Sequence, residues 1–168
     1  MKLVPLSKLF SVTYGVNLEL NRMTIDLNGI PFVGRSDRNN GVTARVASID
    51  GVPPNPGGTL SVAGGGSVLA TFLQIDPYYS GRDLFYLTPL APMTDSQKLY
   101  YCVCIRANRY RYSYGRQANK TLKDLLIPDL ANIPEWVTGG LNRVVLDFSA
   151  RLKGLQDGKP TSSLYSPT

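Results

Sequence analysis

The sequence predicts a mixed α+β fold, and three observations carry that expectation. Short apolar or alternating runs bounded by Gly, Pro and Asn recur between residues 29 and 87, the pattern of strands and turns. A capped helical pattern follows from Ser96, and an apolar stripe at helical spacing runs from Leu141 to Leu155. At 168 residues with 43% hydrophobic and 18% charged content, the chain is long enough for one buried core and too apolar to be disordered.

Taken in order, Pro5 and Leu6 lead to Ser7, an N-cap residue type, and a short apolar turn through Leu9 and Phe10. Asn17 to Met23 reads as a polar linker that buries Leu18 and Leu20. Gly29–Gly34 is a short strand entering the loop Arg35-Ser36-Asp37-Arg38-Asn39-Asn40-Gly41, where Asn-Gly marks a tight turn. Val42 to Ile49 alternates as a half-buried strand. After the proline- and glycine-rich loop 50–58, strands are expected at Thr59–Val62, Ala70–Gln74 and Leu84–Leu87, with a loop at 76–83. A helix from Ser96, capped by Thr94 or Asp95, should bury Leu99, Cys102, Val103, Ile105 and Ala107. Residues 121–128 give a helical turn and a short apolar strand, and Trp136 anchors the end of the domain. The expected boundaries are a domain over 1–137, a short amphipathic helix over 138–156 and a flexible tail over 157–168.

The charge is unevenly spread. Tyr101–Lys123 holds six basic residues (Arg106, Arg109, Arg111, Arg116, Lys120, Lys123) and no acidic one, so the net charge of +6 sits in this window. Tyrosines interleave the arginines in Arg109-Tyr110-Arg111-Tyr112-Ser113-Tyr114-Gly115-Arg116. Such a cluster is an electrostatic footprint for a polyanion. The plainer alternative is the solvated face of a helix end. Against it, no carboxylate stands within the window to pair with the arginines. The loop Arg35–Asn40 adds amides and arginines, the side chains that read adenine and guanine edges.

Several chemistries are excluded or disfavoured. There is no histidine and there are two cysteines, Cys102 and Cys104, so Ser-His and Cys-His pairs are absent and no zinc site closes. The cysteines read as small core residues. Gly64-Gly65-Gly66 lacks the Lys-Ser/Thr of a phosphate loop and the dinucleotide spacing; a tight turn or close backbone approach is the reading. Asp76-Pro77-Tyr78-Tyr79 lacks the second proline of an amino-methyltransferase motif. No catalytic residue, metal or cofactor is expected. No apolar run is long enough to span a bilayer and the N-terminus lacks a signal-peptide pattern, so a cytoplasmic protein is expected.

The order of three stretches resembles a family: Gly29–Val42 (GIPFVGRSDRNNGV), Gly57–Pro89 and Tyr110–Pro128 (YRYSYGRQANKTLKDLLIP). They resemble the target-recognition domain of type I restriction–modification specificity (S) subunits and related type II recognition domains. In that family a Gly-Ser-containing strand pair follows the first loop, and a Tyr-Gly-Arg-like motif followed by Asn, Leu and Ile-Pro closes the domain. The resemblance implies a twisted β-sheet flanked by helices and a non-catalytic reader of double-stranded DNA, with a DNA methyltransferase (modification) subunit as partner. By the matching motif, Tyr114, Gly115, Arg116 and Asn119 lie at or beside the DNA-facing surface, and Arg35–Asn40 is the variable reader.

Combining the resemblance with the charge pattern, Arg109, Arg111, Arg116 and Lys120 are expected to hold phosphates. Arg35, Arg38, Asn39, Asn40 and Gln117 are expected to probe base edges, with Ser36, Tyr110 and Tyr112 on the same surface. The family joins two recognition domains by long helices; here there is one domain and the stretch Leu141–Leu155. A half-sized subunit that forms a homodimer and an orphan DNA binder both fit. The alternative from another class is a protein-interaction module of the same fold, using Leu141–Leu155 and the tyrosines to bind another subunit.

Overall fold

The computed structural model describes residues 1–112 and 117–156. Ser113 to Arg116, and with them the expected Tyr114, Gly115 and Arg116, lie outside the described residues, as does the expected tail over 157–168. The chain divides into two compact units, Met1–Ile133 and Pro134–Thr168.

The first unit is built on antiparallel strands. β1 (Leu3–Pro5), β2 (Phe10–Tyr14), β3 (Ile25–Val33), β4 (Val42–Val46), β5 (Thr59–Ala63), β6 (Thr71–Gln74), β7 (Tyr79–Ser80), β8 (Leu84–Pro89) and β9 (Leu126–Pro128) form three sheets. The largest has the order β2-β8-β5-β6, the second β4-β3-β7, and β1 pairs with β9. Among these strand pairings β3–β7 is parallel and the others are antiparallel. β5 is central, and all five of its residues are buried, Thr59 and Ser61 included, so the Thr-Leu-Ser-Val alternation does not mark a solvent-facing side. β1, β2 and β7 were not legible as strands: β1 is three residues long, β2 follows a 3-10 turn at Leu6–Lys8, and β7 is two residues long.

α1 (Asp95–Ala107) starts at Thr94, whose hydroxyl accepts from Gln97 N while the Gln97 side chain accepts from Thr94 N, a closed capping box. Its buried stripe differs from the expected one. Tyr101, Cys102 and Ile105 face the core, whereas Leu99 is 41% and Val103 66% exposed. Tyr101 wins the inner position because its ring packs edge-to-face on Phe10 at 5.3 Å. Its hydroxyl then donates to Pro128 O at 3.0 Å, so the buried polar atom is satisfied. The main core gathers Leu6, Phe10, Leu60, Val62, Leu73, Leu87, Ile105, Leu122 and Ile127 around this contact. Burial pushes the Cys102 thiol up to about 12, and both cysteines are free.

The second unit is described through α2 (Glu135–Gln156). The helix begins at Glu135, ahead of Thr138, and runs through Gly139-Gly140 despite their low propensity. Trp136, expected to anchor the end of the domain, is 62% exposed on it. Among the described residues no helix is long and apolar enough to cross a membrane.

A candidate nucleic-acid interface

Four segments of the first unit converge: 34–41 after β3, 64–70 between β5 and β6, 81–83 before β8, and the described residues 106–112 and 117–120 at and after the end of α1. Their contacts explain the convergence. Arg35 and Asp37 come from the first segment, Asp83 from the third, and Arg106, Arg109 and Asn119 from the fourth.

Asp37 is the first tether. Its two oxygens accept from Arg106 Nη2 at 2.8 Å and Arg109 Nη1 at 2.9 Å, across 69 and 72 residues of sequence. Arg109 Nε also donates to Val68 O at 2.9 Å, and the Arg106 guanidinium lies 5.3 Å from the centroid of the Phe72 ring. The hydrogen bond from Arg109, with the charges of both arginines adding, holds the Asp37 carboxyl below its ordinary range despite the opposing effect of burial. The acidic partner missing from the basic window is therefore supplied by another loop.

Asp83 is the second tether. Oδ2 accepts from Arg35 Nη1 at 3.0 Å and Oδ1 from Asn119 Nδ2 at 3.1 Å, with Arg82 Nε 3.9 Å away. The glycine triplet lies between these groups. Gly64 N donates to Asp83 O at 2.7 Å and Gly64 O accepts from Ala118 N at 2.8 Å. A Cβ on Gly64 would collide with the Asn119 side-chain oxygen and stand 2.9 Å from the Phe85 ring. The triplet is thus a turn that admits close approach of neighbouring segments.

The remaining expected site residues divide by how they are engaged. Asn40, at φ 54, is spent on the fold: Nδ2 donates to Leu73 O and Gln74 Oε1, both at 3.2 Å, and Gln74 Nε2 returns a bond to Asn40 O at 2.8 Å. Asn39, at φ 51, donates to Val42 O at 3.0 Å, and Ser36 Oγ accepts from Arg38 N at 3.1 Å. Tyr112 Oη lies 2.9 Å from Thr121 Oγ1. Tyr110 is 70% exposed, and Arg111 lies against its ring with Nε donating to the Tyr110 hydroxyl at 3.2 Å. That hydrogen bond pushes the Arg111 guanidinium further up. Arg38, Gln117 and Lys120 are exposed.

An open recess of about 400 Å³ is lined by Arg111, Tyr112, Gln117 and Thr121. A second, of about 580 Å³, has Gly34, Arg35 and Arg82 on its rim and Asn17–Asn21 opposite. Sequence reasoning missed Arg82 and Asp83 as members of this surface, and missed that Asp37 ties Arg106 and Arg109 to the 34–41 loop. No local signal marks the tethers, because Asp37 and Asp83 act through partners tens of residues away. Among the described residues no group of three His, Cys, Asp or Glu side chains could hold a metal.

Comparison with solved structures adds the fold. The chain is similar to the type I restriction–modification S subunit from M. genitalium, with TM-score 0.60 and 20% identity over 93% of this chain and 41% of that one. This is the fold of S-subunit target-recognition domains. A chain from a study of type I R-M complex assembly and conformational transition matches at TM-score 0.60 and 19% identity, over 94% of this chain and 44% of that one. The HsdS subunit from Thermoanaerobacter tengcongensis matches at 0.59 and 18%, over 96% and 40%. The chain therefore spans about two fifths of each of these S-subunit chains. No protein-family profile matches it, and no curated protein does.

Proposed function

We propose that the chain is a non-catalytic, sequence-specific module for double-stranded DNA, a half-sized or orphan specificity subunit that directs a DNA methyltransferase or restriction complex to its site. The observation that carries this reading is the convergence of the four segments. Among the described residues these segments carry Arg35, Arg38, Arg82, Arg106, Arg109, Arg111 and Lys120 and, as carboxylates of their own, Asp37 and Asp83, with Glu19 across the recess from Arg35 and Arg82, in a fold shared with S subunits. Exposed Arg111 and Lys120 hold phosphates, with Tyr110 as a flat neighbour; Arg116 belongs to the same set by sequence. In this reading Arg35, Arg38, Asn39 and Gln117 meet base edges. Arg109 and Asn40 support the surface through their internal bonds.

Phosphate contacts make affinity fall linearly on a log–log salt plot, by about 0.9 in slope for each contact on B-form DNA. Titrating duplex DNA with the wild type and with Arg111→Ala/Lys120→Ala over a salt series tests the reading. The double variant should bind every duplex more weakly with a slope shallower by about 2. An unchanged slope removes these residues from the DNA surface.

A second reading has its own observation. On α2, Val144, Val145, Leu146, Phe148, Leu152 and Leu155 are all about half exposed or more, a surface suited to a methyltransferase subunit or a second copy. Deleting residues 134–168 should abolish association with such a partner and leave DNA binding intact. Loss of DNA binding on deletion would favour α2 as part of the DNA surface.

A further inference from the structure

Polar groups from three loops meet above Gly65. A methyl placed on Gly65 would stand 3.3 Å from Arg35 Nη1, 3.5 Å from Asp83 Oδ2 and 3.6 Å from Gln117 Nε2. Asp83 makes the most bonds among them. Besides accepting from Arg35 at 3.0 Å and Asn119 at 3.1 Å, it is fixed through its backbone, with N–H donating to Tyr14 Oη at 2.8 Å and its carbonyl accepting from Gly64 N at 2.7 Å. Asn119 Nδ2 in turn reaches Gln117 Oε1 at 3.3 Å. Asp83 holds this place at φ 57, a left-handed backbone that Asp and Asn tolerate better than other non-glycine residues. Its side chain is 18% exposed against 29% for Arg35, and Gln117 is exposed. The carboxylate is too enclosed to meet a ligand first; the groups it orients are not.

On the DNA-reading function proposed above, we infer that Asp83 is a positioning residue. It fixes Arg35 directly, and Gln117 through Asn119, so that these two side chains read base edges in the major groove. The chemistry fits: an arginine fork matches guanine O6 and N7, and a glutamine amide matches adenine N6 and N7. A tethered arginine pays less ordering entropy on binding. An untethered one turns to the nearest phosphate, which adds affinity without sequence choice.

The test is Asp83→Asn in the full chain, because Asn keeps the left-handed backbone while removing the charge that holds Arg35. Binding is measured to the duplex that the wild type selects from a random pool and to a scrambled duplex. The ratio of the two affinities should fall about tenfold, with scrambled binding no weaker and the unfolding midpoint nearly unchanged. Gln117→Ala, a change at an exposed side chain, should relax a base pair that Asp83→Asn also relaxes. The inference is overturned if Asp83→Asn keeps the wild-type ratio, if both duplexes weaken by the same factor as the midpoint falls, or if the two variants relax different base pairs. A wild type that selects no sequence would instead remove the DNA reading itself, and Asp83's role with it.

Discussion

The two ends of the basic stretch carry the same charge and do different work. Arg106, in the last turn of α1, and Arg109, just beyond it, share Asp37. Arg111 and Lys120, a few residues on, have no carboxylate partner among the described residues and lie exposed. The first pair docks the 34–41 loop onto the helix end; the second leaves positive charge facing solvent. The difference teaches that an arginine's role is set by what the fold brings to it. A charge count along the chain sees only the arginine.

Substitutions should separate the two ends. Arg109→Ala should have the largest effect on stability, about 2 kcal/mol, since it removes a charge-assisted bond to Asp37 and leaves the Val68 carbonyl without its donor. Chemical denaturation checks this. Arg106→Ala should cost less, about 1 kcal/mol, because Asp37 keeps Arg109. If both are neutral, the tether is a surface ion pair of no consequence and the two ends do not differ.

Asp37 gives the tethered end a pH signature. Its folded-state pKa is lowered from 3.8, so its stabilising contribution is fully present above that value and is lost as pH falls through the folded value. Wild type should therefore lose stability relative to Asp37→Asn below about pH 4, and the gap between them should be constant from pH 5 to 7. Thermal melts of the two proteins across that range measure it. The smallest effect on stability belongs to the open end: Lys120→Ala should leave the unfolding midpoint in place while reducing the salt slope of DNA binding by about 0.9.

Much of this was legible in the sequence, for local reasons. Thr59–Val62, Ala70–Gln74 and Leu84–Leu87 read as strands because short apolar or alternating stretches are bounded by turn residues, and Thr94, one of two cap candidates with Asp95, caps α1 because its hydroxyl needs only its own helix. The S-subunit likeness read from three ordered stretches agrees with the fold. What stayed hidden was long-range. Tyr101 displaces Leu99 from the inner face of α1 because its hydroxyl finds Pro128, a partner that no local pattern displays. The Asn40 amide looked like a reader because nothing in Arg-Asn-Asn-Gly reveals Gln74 opposite. The tethers made by Asp37 and Asp83 were invisible for the same reason.

The central claim, that the four-segment surface reads duplex DNA, meets its most direct test in selection from a randomised duplex pool by the full chain at low and moderate salt. The account predicts one enriched short site, alone or repeated at a fixed spacing, with retention that falls as salt rises. No retention at either salt, or salt-sensitive retention with no enriched sequence, would contradict it.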